Sequence, residues 1–352
     1  MTSRLAALVL GLLLLSHPWP AAAQPLPPSG LSDAPQVARR PFNPVVGDAW
    51  VGAGVCYGPF RDGQSPDGAS PTDEQLREDL RIIAKHWSLI RMYGSRGAAG
   101  RVCRIIRDDK LPLRIMIGAW IAQESRVDER GQVVAEDPAI AAQNAAEVDH
   151  AIQLANEYPG IVLALGIGNE TQVSWSQHRV PSGVLIGYLR RARGSTTVPV
   201  TTCDDFSFWN RAESREVARE CDFVAVHIYA MWNKQQLADA MAWTRRTLGE
   251  VRSIHGDSPL VITEIGWATQ KGTDGYQAVG IVATPDERGQ ELFFRGLRDW
   301  CVESRQPYFY FSAFDEKWKG GTDPNEVEKH WGVYNADRSP KHVFMQERGD
   351  PR

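Results

Sequence analysis

Eight short apolar runs rich in Val, Ile and Tyr, each followed by a longer amphipathic stretch, recur between Val51 and Ala313. That alternation is what parallel strands joined by crossover helices require, because a tight turn cannot close a parallel pair. Strands covered on both faces also read as continuous apolar runs rather than as in-out alternation. The runs place strands at 51–57, 89–93, 113–119, 161–168, 198–203, 222–228, 260–264 and 308–313. The stretches between them carry helix starts. Thr72 with Gln75 three residues on forms a capping-box pair opening a helix at 72–86, and Pro138 suits the first turn of one at 138–157. Further helices are expected at 237–254 and 286–303. Eight such units define a closed (β/α)₈ barrel in one domain, 48–352, whose chemistry should appear at the C-terminal ends of the strands. The rival is an open doubly wound sheet. Its dinucleotide fingerprint is mimicked by the glycines of segment 52–58, but their spacing is wrong and they sit inside a strand rather than opening a helix.

The ends of the chain read differently. Arg4 precedes an apolar run at 5–15, then Pro18, Pro20 and three small residues, Ala21, Ala22 and Ala23, the pattern of a signal peptide at 1–23. The run falls short of the ~20 apolar residues that span a bilayer. Pro25, Pro27, Pro28, Pro35, Pro41 and Pro44 make 24–47 an extended leader, so a secreted or periplasmic protein with no membrane anchor after signal removal is expected. Lys plus Arg total 39 against 43 Asp plus Glu, without long blocks of one sign, which excludes an electrostatic footprint for nucleic acid. The five cysteines, Cys56, Cys103, Cys203, Cys221 and Cys301, fix no disulfide pairing and fit buried thiols equally well.

Two strand ends carry carboxylates. The fourth run ends in Gly168-Asn169-Glu170 and the seventh in Glu264-Ile265-Gly266-Trp267, and a closed barrel brings both to one mouth. Glutamates ~5 to 5.5 Å apart can cleave a glycosidic bond with retention, one as nucleophile and one as acid/base. Aromatic residues at or beyond strand ends point the same way, since sugar rings stack their C–H faces on flat rings. Tyr57, Tyr93, Trp120, Trp175, Trp209, Tyr229, Trp232, Trp267 and Trp318 are the candidates, whereas Trp87, Trp243 and Trp300 fall in helical stretches and suit the core. After the eighth run, Asp315, Glu316, Lys317 and Lys319 could bind several hydroxyls of one sugar. The histidines show no metal-ligand spacing, and no Cys-x-x-Cys, Gly-x-Ser-x-Gly or phosphate loop occurs, so no metal or cofactor is called for.

These residues resemble glycoside hydrolase family 17, the β-1,3-glucan enzymes of a large retaining clan of barrels, over nearly the whole mature domain. The likeness lies in Gly54-Val55-Cys56-Tyr57-Gly58, Ile90-Arg91-Met92-Tyr93, Gly168-Asn169-Glu170, His227-Ile228-Tyr229 and Glu264-Ile265-Gly266-Trp267. The ending Glu328-Lys329-His330-Trp331-Gly332-Val333-Tyr334, with Lys341 beyond, looks like the bacterial branch. The resemblance implies Glu170 as acid/base, Glu264 as nucleophile and Asn169 as donor to the 2-hydroxyl of the sugar beside the cleaved bond. Tyr229 and Arg91 would orient the nucleophile, while Tyr57, Tyr93, Glu316 and Lys319 would hold the donor sugar. Trp175, Trp209, Trp232 and Trp267 could build an acceptor platform. The sequence departs from the family pattern at Ala230, where many members have proline, and at Ile265, where threonine is common. The loops at 123–137 and 268–284 are individual to this chain and would set the length of the cleft.

The expectation is an exported retaining enzyme on β-1,3-glucan, its partner a β-glucan oligo- or polysaccharide and the chain a monomer. Three alternatives stand beside it. They are a glucanosyltransferase or branching enzyme with little hydrolysis, a catalytically silent glucan-binding protein, and a clan relative cutting β-1,4-linked glucan or mannan.

Overall fold

The computed structural model describes residues 38–127 and 133–348. The expected signal peptide and the first part of the leader, to residue 37, lie outside the described residues. Eight strands form the centre: β1 (Ala53–Cys56), β2 (Leu89–Met92), β3 (Arg114–Ala119), β4 (Val162–Asn169), β5 (Val200–Asp205), β6 (Val224–His227), β7 (Leu260–Ile265) and β8 (Tyr308–Tyr310). Each pairs in parallel with its chain neighbour, and β8 returns to β1 with Tyr308 opposite Ala53 and Tyr310 opposite Val55, closing the barrel. Every expected strand is present. The differences are at the ends, where β5 runs two residues beyond 203 and β8 stops at Tyr310, ahead of a cis peptide between Phe311 and Ser312.

Three of the connecting helices start on side-chain caps. In α1 (Asp73–Ile83) the Thr72 hydroxyl accepts from the Gln75 N–H at 3.2 Å while the Gln75 side chain accepts from the Thr72 N–H at 2.9 Å. After α2 (Ala99–Asp108), α3 (Pro138–Glu157) begins on Asp137, whose carboxylate accepts from Ala139 and Ile140. Then come α4 (Ser182–Ser195), α5 (Ser214–Arg219), α6 (Leu237–His255) and α7 (Glu287–Ser304), the last capped by Asp286. Each turns an apolar face onto the barrel; Leu76, Leu80 and Ile83 of α1 and Phe293, Leu297 and Cys301 of α7 are buried. No helix among the described residues is long and apolar enough to cross a membrane.

Packed structure begins ahead of the expected boundary at 48. A short antiparallel pair joins Val45–Val46 to Ala49–Trp50, and Phe42 packs on Phe223 with ring centroids 4.9 Å apart. Arg40 reaches the wholly buried Asp222, which Arg193 also faces at 3.0 Å. A buried carboxylate demands counter-charge, and the end of the leader supplies part of it. All five cysteines are buried free thiols.

Candidate active site

Glu264 lies near the C-terminal end of β7 and is 5% exposed. One oxygen accepts from Arg91 Nη1 at 2.7 Å, and the other accepts from the Tyr229 hydroxyl at 2.6 Å. Burial would push this carboxyl up, but the charges of His227 and Arg91 and the hydrogen bonds from Tyr229 and Arg91 outweigh it, holding it down at about 2. Such a group stays an anion at any ordinary pH, as a nucleophile must.

Glu170 follows β4 by one residue. Gly168 at φ +80° and Glu170 at φ +51° turn the chain sharply there, and the Glu170 N–H is held by the Cys203 carbonyl at 2.8 Å. Left-handed backbone suits glycine, whereas a glutamate adopts it only where its surroundings fix it. The turn leaves the Glu170 side chain 26% exposed at the mouth. His227 closes the pair. Parallel pairing sets it beside Glu264, and its imidazole lies between the two carboxylates, Nδ1 3.0 Å from Glu170 Oε1 and Nε2 3.4 Å from Glu264 Oε1. Burial alone would lower its pKa, but Glu264, Cys203 and Glu170 together raise it to about 10, which favours the protonated ring between the two carboxylates. Ligand atoms of Glu170, His227 and Glu264 all lie within 4.8 Å of one another, a spacing that could hold a metal ion. Arg91 and the imidazolium already supply the positive charge a cation would bring.

Arg91, on β2 and 2% exposed, ties the two strands together, since its second nitrogen donates to Asn169 Oδ1 at 2.5 Å. That contact fixes the orientation of the Asn169 amide and leaves Nδ2 as its free donor. His178 donates to the Asn169 carbonyl at 2.7 Å while its ring packs on the exposed Trp120, 4.4 Å between centroids.

The other side of the mouth is polar. Glu316 faces Lys319 Nζ at 2.8 Å and accepts from the Trp318 indole at 3.0 Å. Lys319 also stands 4.6 Å above the Phe311 ring and 5.9 Å from that of half-buried Tyr93. Gly58 makes room, because a Cβ there would come within 2.0 Å of Glu316 Oε1. Lys341, buried, hydrogen-bonds Thr269 and Asp315 and so pins this loop from beneath.

Three expected contacts are corrected. Tyr57 has no exposed surface; its hydroxyl donates to Asp79 at 3.1 Å, in a cluster with Arg61 and Arg338, so it supports the donor side from below rather than touching sugar. Trp267 is wholly buried against Phe293, and Trp209 is wholly buried with its indole donating to the Ala225 carbonyl. Tyr57 and Trp267 are turned beneath the mouth or toward the helix layer just after their strands, and Trp209 by the helical turn Phe206–Trp209 that follows β5. Trp232 is half-buried and Trp120, Trp175 and Trp318 are exposed. His178 was not singled out from the sequence, and His227 was quoted only as part of the sixth-strand motif, with no role given to it. For His227 the available signal was its position, one strand end among eight.

A (β/α)₈ barrel with glutamates at the ends of its fourth and seventh strands, one buried as an anion and one at the mouth, defines a glycoside hydrolase. The family model of the BtgE/BtgC glycoside hydrolase domain matches residues 54–332, and the chain belongs to that family. It is 26% identical over 306 residues to a putative glucan endo-1,3-beta-glucosidase, btgC, of Aspergillus niger, covering 77% of this chain and 40% of that protein. A glucan 1,3-beta-glucosidase of Arthroderma benhamiae is 24% identical over 299 residues, covering 78% of this chain and 86% of the relative. Among solved structures, an endo-laminarinase from Formosa Hel1_33_131 superposes with a TM-score of 0.72 at 26% identity, over 84% of this chain and 86% of the other. A family 17 β-1,3-glucanosyltransferase from Rhizomucor miehei shares the fold, with a TM-score of 0.64 at 19% identity, over 82% and 95%.

Proposed function

We propose that this chain is an exported, retaining glycosidase acting on β-1,3-linked glucan through a covalent glucosyl-enzyme intermediate. The carrying observation is the Glu170–Glu264 pair at the ends of β4 and β7, an oxygen of each within 4.8 Å of the other and both against one imidazole, which supports the close pairing of a retaining enzyme. The substrate follows from relatives and structural neighbours named for β-1,3-glucan, and export from the sequence pattern of residues 1–23.

Glu264 attacks the anomeric carbon while Glu170 gives its proton to the departing glycosidic oxygen, so the bond to the leaving sugar breaks as the ester bond to Glu264 forms. Asn169 Nδ2 donates to the 2-hydroxyl of the donor sugar, and Glu316 and Lys319 bind its outer hydroxyls. In the second half Glu170 takes a proton from water or from a sugar hydroxyl, whose oxygen displaces Glu264. Both outcomes share the first step, and the competition at the second decides between hydrolysis and transfer.

Mass spectrometry of products from laminari-oligosaccharides of defined length in ¹⁸O water separates the outcomes. Shorter products carrying ¹⁸O mean hydrolysis, and products longer than the substrate without ¹⁸O mean transfer. Glu264→Ala abolishes cleavage, and Glu170→Ala leaves an intermediate that turns over slowly and is partly rescued by azide on an activated substrate. Unchanged turnover in either variant, or no change in the sugar with the parent chain, refutes the proposal.

A further inference from the structure

Loop 268–284 carries Tyr276 on a short helical turn (Gly275–Gly280), and Tyr276 is 60% exposed. Although it leaves β7, the loop leans toward the segment after β6. There the Tyr276 ring stacks on Trp232, with centroids 5.8 Å apart and planes 19° from parallel. Val279 and Val282 beside it are exposed as well, at 68% and 45%. A stacked ring pair with an open face, flanked by exposed valines, is an unusual use of apolar surface for a soluble mouth unless something flat covers it.

The pair is held from behind. The Gln277 side-chain oxygen Oε1 accepts from the N–H groups of Gly272 and Val327 at 3.0 and 2.9 Å, and its Nε2 donates to Glu326. Lys271 donates to the Ile281 carbonyl, Gln236 donates to the Val282 carbonyl at 3.3 Å, and Ile281 and Ala283 are buried. The loop that carries Tyr276 is therefore held before any ligand arrives, which spares binding the cost of ordering its backbone.

Its position assigns the side of the cut it serves. The leaving sugar, and any acceptor that replaces it, must lie at Glu170, which exchanges the proton with its oxygen. Glu170 is bonded to His227 at the end of β6, and Trp232 follows His227 by five residues. The polar groups for the donor sugar, Glu316, Lys319 and Tyr93, come from the segments after β8 and β2.

We infer that Trp232 and Tyr276 form an acceptor-side sugar subsite, on which a pyranose ring of the leaving or incoming glucan chain stacks. The inference rests on the proposed glycosidase reading and adds the residue that ranks acceptors. A ring stacked there holds a sugar hydroxyl near Glu170 and favours transfer over attack by water.

The test uses the full chain, 4-nitrophenyl β-laminaribioside as donor and laminaritriose as acceptor. In Tyr276→Ala the readout is the acceptor dependence and not nitrophenol release, because the nitrophenyl leaving group itself lies on the acceptor side. The laminaritriose concentration for half-maximal transfer rises on the order of tenfold, the size of one lost ring contact. Tyr276→Phe keeps parental behaviour. Acceptor dependence unchanged in Tyr276→Ala, or lost equally in Tyr276→Phe, overturns the subsite. Calorimetric titration in a Glu264→Ala background separates this from the underlying reading. Laminarihexaose affinity that falls about tenfold with Tyr276→Ala supports both. Hexaose binding that Tyr276→Ala leaves intact overturns only the subsite. Binding of cello- or xylohexaose alone, weakened by Tyr276→Ala, keeps the subsite and overturns the β-1,3 linkage. A parent that binds none of these sugars overturns both.

Discussion

Replacing Tyr229 by phenylalanine removes one oxygen from the site and nothing else, because the ring keeps its packing against Phe311 and Trp331 at 5.8 and 5.1 Å. The hydroxyl it deletes donates to Glu264 at 2.6 Å. Between the ordinary carboxyl value of 4.5 and the about 2 of Glu264 lies about 3 kcal/mol of net preference for the anion. A hydrogen bond to a buried charge is worth about 1.5–3 kcal/mol, so losing it should raise the Glu264 pKa by about one to two units. The group's folded pKa is depressed, so the active anion exists above it and is lost as pH falls through it. The acid limb of kcat/KM on laminari-oligosaccharides therefore moves from near 2 toward 3 to 4, and the loss of rate is larger at pH 3 than at pH 7. The same sign governs stability. The anion's contacts stabilise the fold above pH 4.5 and fade toward 2, so the variant's stability deficit in urea is larger at pH 7 than at pH 2. An acid limb that does not move, with circular dichroism showing both proteins folded across the range, would refute the assignment of Tyr229 as the donor that holds Glu264 ionised.

Gly58→Ala puts a Cβ 2.0 Å from Glu316 Oε1, displacing that carboxylate from Lys319; KM for short oligosaccharides should rise by roughly tenfold while the acid limb stays in place. Tyr57→Phe deletes a buried hydrogen bond to Asp79, whose charge Arg338 and Arg61 still neutralise; thermal unfolding should show a loss of about 1 kcal/mol with kcat/KM within twofold. With all five thiols buried and free, a thiol-reactive chromogenic disulfide should label none in the folded chain and five after unfolding without reductant. His227→Asn removes the imidazolium between the carboxylates, and kcat/KM should fall by about a hundredfold with the acid limb raised, read from the pH profile.

The cap of α1, the first turn of α3 and the order of eight strands were legible because each depends on neighbours in sequence: Thr72 on Gln75, the helix start on Pro138, each apolar run on its own composition. Glu170 and Glu264 were legible because closure of a barrel brings every strand end to one mouth whatever the details. Tyr57, Trp209 and Trp267 were misread for the complementary reason. Each stands at or beyond a strand end, but whether its ring faces sugar or core depends on the turn that follows and on what packs behind it, Asp79 for Tyr57 and Phe293 for Trp267. The leader likewise looked unpacked by composition, although Phe42 and Arg40 anchor its end on Phe223 and Asp222, some 180 residues away.

The sequence by itself determined the barrel and the two glutamates, since periodicity and strand-end position are local properties of the chain. The family resemblance already implied their unequal roles, but the contacts that give those roles a physical ground exist only in the tertiary structure. It is register that lays His227 beside Glu264, distance that lets Arg91 reach both Glu264 and Asn169, and burial that makes these few contacts strong enough to hold one carboxyl ionised, none of which any single segment carries.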